Sequence, residues 1–274
     1  MLTPMELPDQ DAARALLHWY ADMGVDEATA AVPADYYAWS APKAAAPPPA
    51  QTVSKKQPST VFRPDPDAAT ISADEAISAA EKAARACNSF EELEAAVTAF
   101  NGCPLKAGAT NTVFADGVPG ADLLVIGEAP GRDEDRVGKP FVGRAGQLLD
   151  RMLAAIDRSR ETNVLISNVI YWRPPGNRTP SPMETAICRP FVDRLIELTD
   201  PKVVVLAGGA PLQAMLGVTG IMRARGKWRE IETQSGARFA ALPIFHPAFL
   251  LRQPANKRLA WADLQALAAR LREG

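Results

Sequence analysis

Three polar residues of different chemistry follow apolar runs in the C-terminal two-thirds of the chain. Glu128, Asn168 and His246 each stand at or directly after the end of such a run. Turn-forming Gly and Pro residues after an apolar run are typical of the C-terminal end of a buried strand. In a parallel α/β sheet, ligands bind at the carboxyl ends of the strands. We therefore expect a carboxylate, an amide and an imidazole to meet in one crevice, which is the outline of a catalytic site.

The elements that must position these residues alternate from residue 121 onwards. Pro201 ends a long helical segment just before the β-branched run 203–206. Such alternation indicates a parallel sheet covered by helices on both faces. We expect an α/β fold with three layers, α/β/α, around a central, mostly parallel four-stranded sheet. The predicted strands are 122–127, 163–168, 202–207 and 241–245, and the predicted helices are 144–157, 181–199, 209–216 and 257–272.

The first hundred residues have a different composition. Residues 11–31 show helical periodicity, whereas the Ala-, Pro-, Ser- and Thr-rich segment 41–70 cannot build a core and is typical of a linker. Two further helices are predicted at 73–86 and 89–100. The expected organisation is an N-terminal helical segment (1–40), a Pro/Ala-rich linker (41–70) and a catalytic domain (71–274) with a helical lead-in (71–102).

Charge and cysteine content narrow the class of protein. The net charge is −2, so the strongly basic balance of many DNA-binding domains is missing, although segments 132–189 and 223–229 are rich in arginine. Three cysteines argue against a disulfide framework. Residues 1–10 carry two acids and no base, unlike a secretory signal, and no apolar stretch approaches the roughly 20 residues of a membrane span. We expect a cytoplasmic monomer in the bacterial nucleoid compartment, without membrane association.

Several motifs in order resemble the uracil-DNA glycosylase superfamily, most closely its family 4, the bacterial and archaeal type that usually carries an iron–sulfur cluster. The resemblance runs from about Cys103 to Leu264. It implies hydrolysis of the N-glycosidic bond of deoxyuridine in single- or double-stranded DNA, with base flipping and an abasic product. The motifs are 127–135 (GEAPGRDED), 138–149 (GKPFVGRAGQLL), Asn168 with 173–180 (RPPGNRTP), 188–190 (CRP), 201–203 (PKV), 226–228 (GKW) and 246–252 (HPAFLLR).

The resemblance places Glu128 in the uracil pocket, with Gly127 and Ala129 beside it. Glycosylases better known for water activation carry aspartate at the position of Ala129. Glu128, or Glu134 six residues later, must then orient the water, or the reaction must rely mainly on leaving-group stabilisation. Taken alone, Glu128 also fits a helix N-terminal charge or an ion-pair partner, and Glu134 fits a solvated acid in a charged loop.

The resemblance also gives roles to Asn168, His246 and Phe141. The Asn168 amide would accept from uracil N3–H and donate to O4, a pattern that cytosine reverses. His246 would donate to uracil O2, where negative charge develops as the bond breaks. Phe141 would stack on the flipped base. Simpler roles fit the same residues: an amide that serves a neighbouring loop, a histidine in a capped turn and a core aromatic.

Two loops are expected to hold DNA. The stiff, polar segment 173–178 can offer backbone N–H groups and arginines to phosphates. The apolar tip 249–251 matches the segment that inserts a side chain into the base stack in the superfamily. The alternative for segment 173–178 is an ordered surface turn. The alternative for segment 249–251 is the start of a helix that packs on the core. The residues expected to contact DNA are Arg144, Gln147, Arg173, Gly176, Asn177, Arg178, Leu250, Leu251 and Arg252.

The chain departs from the family at the cluster. A [4Fe–4S] cluster needs four thiolates or close substitutes, and Cys103 and Cys188 occupy only two of the family's ligand positions. Lys106 and Trp172 stand at the other two, and Cys87 would need a rearranged geometry to substitute. We expect neither a metal nor another cofactor.

Two other functions compete with catalysis. A non-catalytic module of the same fold that binds uracil or damaged DNA is the alternative, because the aspartate is missing at Ala129. A nucleotide-binding α/β protein is disfavoured, since residues 127–131 match neither G-x-G-x-x-G nor a phosphate-binding P-loop.

Overall fold

The computed structural model of this chain describes residues 72–273. The predicted helix 11–31, the segment 1–40 and the linker 41–70 lie outside the described residues. Two helices, Ala73–Ala86 and Phe90–Ala99, lie where the sequence predicts helices at 73–86 and 89–100.

The strands of the described chain form one sheet. They are β1 (Ala115–Gly117), β2 (Leu123–Gly127), β3 (Val164–Asn168), β4 (Val203–Ala207), β5 (Arg229–Glu232) and β6 (Arg238–Ile244). Their order is β1-β3-β2-β4-β6-β5. The four central strands are mutually parallel, which confirms the predicted parallel sheet, and β1 and β5 add antiparallel edges that the sequence analysis did not predict. Both edge strands are short and polar, so neither shows the apolar run that identified the others.

Helices cover both faces of this sheet. They are α1 (Ala73–Ala86), α2 (Phe90–Ala99), α3 (Arg132–Val137), α4 (Arg144–Ala154), α5 (Pro182–Thr199), α6 (Gly209–Leu216), α7 (Ile221–Ala224), α8 (Pro247–Arg252) and α9 (Lys257–Arg272). Short 3₁₀ turns cover Pro104–Gly108, Pro175–Asn177 and Pro254–Asn256. Ser181 caps α5 through a reciprocal capping box with Glu184. Among residues 72–273, none of the helices is both long enough and apolar enough to cross a membrane.

Two hydrophobic cores separate the three layers. Side chains such as Leu124 and Ile126 of β2 face one core, which contains residues of α1, α2 and α5. The alternate side chains, such as Leu123 and Val125, face the other core, which contains residues of α4, α8 and α9. Because successive strand side chains point to opposite faces, a strand buried on both sides must be apolar throughout. This explains why continuous apolar runs predicted the central strands correctly.

The register brings the ends of the central strands together. Gly127 of β2 pairs with Asn168 of β3, and Ala207 of β4 pairs with Ile244 of β6. His246 follows two residues after Ile244 and caps the start of α8. The residues that follow these strands therefore share one edge of the sheet.

Candidate active site

A cavity of about 400 Å³ lies at this edge of the sheet. The structure brings the carboxylate, the amide and the imidazole together around it, as the strand-end argument predicted. The two candidate DNA loops each contribute an arginine to its wall. Its lining includes Glu128, Ala129, Glu134, Phe141, Asn168, Arg178, His246 and Arg252.

His246 is held in one tautomer. Its Nδ1 accepts a hydrogen bond from the backbone N–H of Ala248 at 3.1 Å. In the neutral ring the proton must then sit on Nε2. Burial lowers the pKa of His246 to about 4, and the positive charge of Arg252 acts in the same direction. The imidazole is therefore neutral at physiological pH and keeps one N–H to donate.

Phe141 stacks against His246 in an uncommon backbone conformation. The two ring centroids are 5.6 Å apart and the ring planes differ by 27°. Phe141 has φ +53°, in the left-handed region that aromatic residues seldom adopt, at a typical cost of ~1–3 kcal/mol. Such a conformation persists only where neighbouring groups impose it.

Arg160 and Gly146 impose this conformation, and neither was among the predicted site residues. The Arg160 guanidinium donates to the carbonyls of Pro140 (3.0 Å) and Phe141 (2.9 Å). Its remaining contacts are ion pairs with Asp116 and Asp150. A Cβ at Gly146 would overlap the backbone of Phe141, so only glycine lets α4 approach this closely. A glycine inside a predicted helix was the available signal, whereas nothing in the loop sequence around Arg160 indicated its role.

Asn168 and Gly127 fit together at the floor of the cavity. Asn168 is the last residue of β3, it is 2% exposed, and it lines the cavity. A Cβ built on Gly127 would overlap the Asn168 amide oxygen and would lie 2.5 Å from the Phe141 ring. The missing side chain at residue 127 is therefore what makes room for both groups.

Glu128 is a half-buried carboxyl that lines the same cavity. It also lines a neighbouring, mostly apolar cavity of about 380 Å³. Burial raises the pKa of Glu128 above its ordinary value. A carboxyl with a raised pKa is better matched to proton transfer near neutral pH than an ordinary glutamate.

Glu134 is committed to the backbone. One carboxylate oxygen accepts from the N–H groups of Val142 (3.0 Å) and Gly143 (2.9 Å), and the other accepts from Gly131 (3.1 Å). The side chain thus ties the turn before α3 to the turn before α4. This arrangement favours a positioning role for Glu134. Of the two candidates to orient the water, Glu128 is then the better supported.

The segment 173–178 is braced against α5. Arg178 forms two hydrogen bonds with the Glu184 carboxylate, at 2.9 and 2.6 Å, and this contact lowers the pKa of Glu184. Arg173 donates to Asn177 at 2.7 Å. Asn177 and its neighbour Gly176 are exposed and both have positive φ. The segment is therefore an ordered loop at the cavity, and Glu184 and the Thr179 carbonyl already take up much of the hydrogen-bonding capacity of Arg178.

The apolar tip on α8 differs from expectation at one residue. Leu250 is 1% exposed and packs in the core beneath α8, so its predicted contact with DNA does not fit its burial. Leu251 is partly exposed and Arg252 is exposed. On the first turn of α4, Arg144 and Gln147 are exposed next to the cavity.

The residues at the family's cluster positions do not fit a four-thiolate cluster. Cys103 and Cys188 are buried and lie close enough for their thiols to interact. The Lys106 ammonium donates to the carbonyl of Thr98, and the Trp172 indole, 1% exposed, donates to Thr112 at 3.0 Å. Cys87 donates to a carbonyl of its own helix. Residues 72–273 contain no group of three or more His, Cys, Asp or Glu placed to hold a metal ion.

A sequence profile and several curated relatives indicate the same family. The sequence profile of the Uracil DNA glycosylase superfamily matches residues 114–265. The chain is 37% identical over 165 residues to a type-4 uracil-DNA glycosylase of Thermotoga maritima, which covers 60% of this chain and 84% of that protein. The type-4 enzyme of Archaeoglobus fulgidus is 39% identical over 171 residues (61% and 85%). That of Sulfurisphaera tokodaii is 34% identical over 188 residues (66% and 84%).

Proposed function

The chain belongs to the uracil-DNA glycosylase superfamily, and from this premise we propose that it hydrolyses the N-glycosidic bond of deoxyuridine in DNA, releasing uracil and leaving an abasic site. The observation that carries the proposal is the neutral His246 with its Nε2–H, in one cavity with Asn168 and Phe141. The oriented Nε2–H is the feature that favours catalysis, because a module that only binds uracil needs the amide and the ring for recognition but no donor oriented towards developing charge.

Base flipping supplies the substrate to this cavity. A base within a duplex cannot reach groups at the end of a protein sheet, so the target nucleotide must leave the stack. Phe141 then offers its ring to the flipped base. The Asn168 amide pairs with N3–H and O4 of uracil. With cytosine, the amide carbonyl would face another acceptor and the amide NH2 would face another donor.

His246 acts on the departing base. As the N-glycosidic bond breaks, negative charge grows on uracil, and the Nε2–H of His246 donates to O2. A donor that is already oriented towards developing charge stabilises the transition state more than the ground state. The low pKa of the ring matters because a neutral imidazole keeps its proton while it donates.

Glu128 orients the water that captures the sugar. It is the carboxyl at the cavity whose pKa is raised by burial, whereas the Glu134 oxygens are engaged by three backbone N–H groups. A glutamate at residue 128 thus takes the place of the aspartate missing at residue 129.

We propose further that the enzyme works without an iron–sulfur cluster, since Lys106 and Trp172 make protein contacts of their own. Four irons per chain by metal analysis would contradict that part.

The test is uracil release from matched oligonucleotides that are single-stranded or contain a U·A or a U·G pair. We expect release of free uracil and an alkali-labile abasic site, with no strand cleavage before alkali. Tight binding of uracil-containing DNA without release would instead identify the non-catalytic binding module.

A further inference from the structure

An apolar groove lies between α4 and α9, apart from the two cavities described above. It has a volume of about 400 Å³. Leu148 and Met152 of α4 and Leu264 of α9 are among the side chains that line it. Trp261 stands at its edge with 43% of the residue exposed, so that a large aromatic surface faces solvent next to an apolar groove.

The charged side chains of the groove are all positive. Two of its nine lining side chains are charged, and both are cations: Arg151 on α4 and Lys257 on α9. Both residues are exposed. An aromatic face beside cations is the combination with which proteins hold single-stranded nucleic acid, because the bases stack on the ring and the cations meet the phosphates.

The helices α4 and α8 each contribute residues to both the groove and the uracil cavity. Ala145 of α4 lines the uracil cavity, and Arg151 lies six residues further along the same helix, about 9 Å along its axis. Leu250 forms part of the groove, and Arg252 on the same helix lines the uracil cavity. The groove therefore lies on the same two helices as the cavity, at a distance that a DNA strand can span.

We propose that this groove binds a nucleotide of single-stranded DNA that flanks the uracil, with its base on Trp261 and its phosphate between Arg151 and Lys257. This inference rests on the proposed function. The bases of a duplex are paired and stacked, so their faces are not available to Trp261. The enzyme consequently holds single-stranded DNA by a contact that duplex DNA cannot make.

The experiment compares the affinity of the full-length protein for a fluorescent, uracil-free single strand with its affinity for the blunt duplex of the same sequence. Trp261→Ala should weaken single-strand binding roughly tenfold and duplex binding by less than about twofold, the range expected for one lost base stack. Trp228→Ala is the matched control, because Trp228 is exposed to a similar extent (40%) just before β5. Arg151→Gln should reduce the slope of log affinity against log salt for the single strand by roughly 0.7.

Single-strand affinity that is unchanged in Trp261→Ala would overturn the proposal. That is also the result expected if residues 1–71 or a second copy of the chain occupied the groove. An equal loss on the duplex would overturn it as well, because a generic DNA contact does not distinguish the two forms. Uracil release by the unaltered protein tests the proposed function separately, so that failure of one idea is distinguishable from failure of the other.

Discussion

The backbone N–H of Ala248 donates to Nδ1 of His246 at 3.1 Å, and this single hydrogen bond determines which ring nitrogen carries the proton. It arises where α8 begins, because the histidine caps the helix through its side chain. The same contact that starts a helix therefore prepares an Nε2–H donor at the cavity. The ring is further fixed by its stacking on Phe141.

The low pKa of His246 makes stability depend on pH in a defined direction. The folded pKa is about 4, whereas the ordinary value is 6.5. Between these values the unfolded chain binds a proton that the folded chain does not, so the free energy of unfolding should fall as pH is lowered from about 6.5 towards 4. Urea unfolding at pH 7 and pH 4.5 measures this loss. His246→Gln should lose less on acidification than the unaltered protein, and His18→Gln, at the other histidine, serves as control. Equal losses in all three proteins would contradict the assignment.

Gly127→Ala should abolish most uracil excision while the fold persists. A Cβ at this residue meets the Asn168 amide and the Phe141 ring, so at least one of them must move out of position. Misplacement of a substrate-positioning group by about 1 Å can cost ~10²-fold in rate. Single-turnover cleavage measures the loss. Gly108→Ala is the matched control, because no atom lies within 4 Å of a Cβ built there. Similar activity in the two variants would show that uracil excision does not depend on the missing side chain at residue 127.

Arg160 should act on the reaction through Phe141. Arg160→Ala removes the donors that hold the Pro140 and Phe141 carbonyls, so it should lower cleavage by roughly tenfold or more and weaken the folded state. A double-mutant cycle with Phe141→Ala separates the two effects. If Arg160 works by holding Phe141, their effects on cleavage should be clearly less than additive. Additive effects would mean that Arg160 acts on cleavage by a route that does not involve Phe141, and an unchanged rate in Arg160→Ala would mean that it contributes to stability alone. Arg158→Ala, two residues away, is the control.

Glu128 should produce the acidic limb of the pH–rate profile. Its pKa is raised by burial, and a water-orienting carboxylate must be ionised, so single-turnover cleavage should fall as pH drops through a value above 4.5. Glu128→Gln should lower the plateau rate by ~10²–10⁴-fold and remove that limb, with little loss of DNA binding. Glu134→Gln is the informative comparison, because it should reduce thermal stability more than it changes the profile. An acidic limb that persists in Glu128→Gln would show that the ionisation of another group causes it.

Local patterns predicted the central sheet well, and they predicted less of what holds the site. The four buried strands were visible because burial on both faces requires unbroken apolar runs, and Asn168 and His246 could be placed because polar residues interrupt those runs. The short edge strands β1 and β5 depend on pairing with β3 and β6, which no local pattern encodes. Arg160 contacts Phe141 across 19 residues of chain, and its role is a property of tertiary structure. The burial of Leu250 follows from the way α8 packs, which its motif does not reveal.

The most direct test of the account is His246→Ala in single-turnover cleavage of uracil-containing DNA, with binding affinity measured on the same substrate. Loss of one preorganised donor to developing charge typically costs ~10²–10³ in rate, whereas a ground-state contact appears mainly as weaker binding. We expect the rate to fall by this amount with affinity little changed, and the rate of the unaltered enzyme to show no loss between pH 6 and 8 that depends on His246. Near-normal cleavage by His246→Ala, with only DNA affinity reduced, would contradict the central claim that a neutral histidine stabilises the departing uracil.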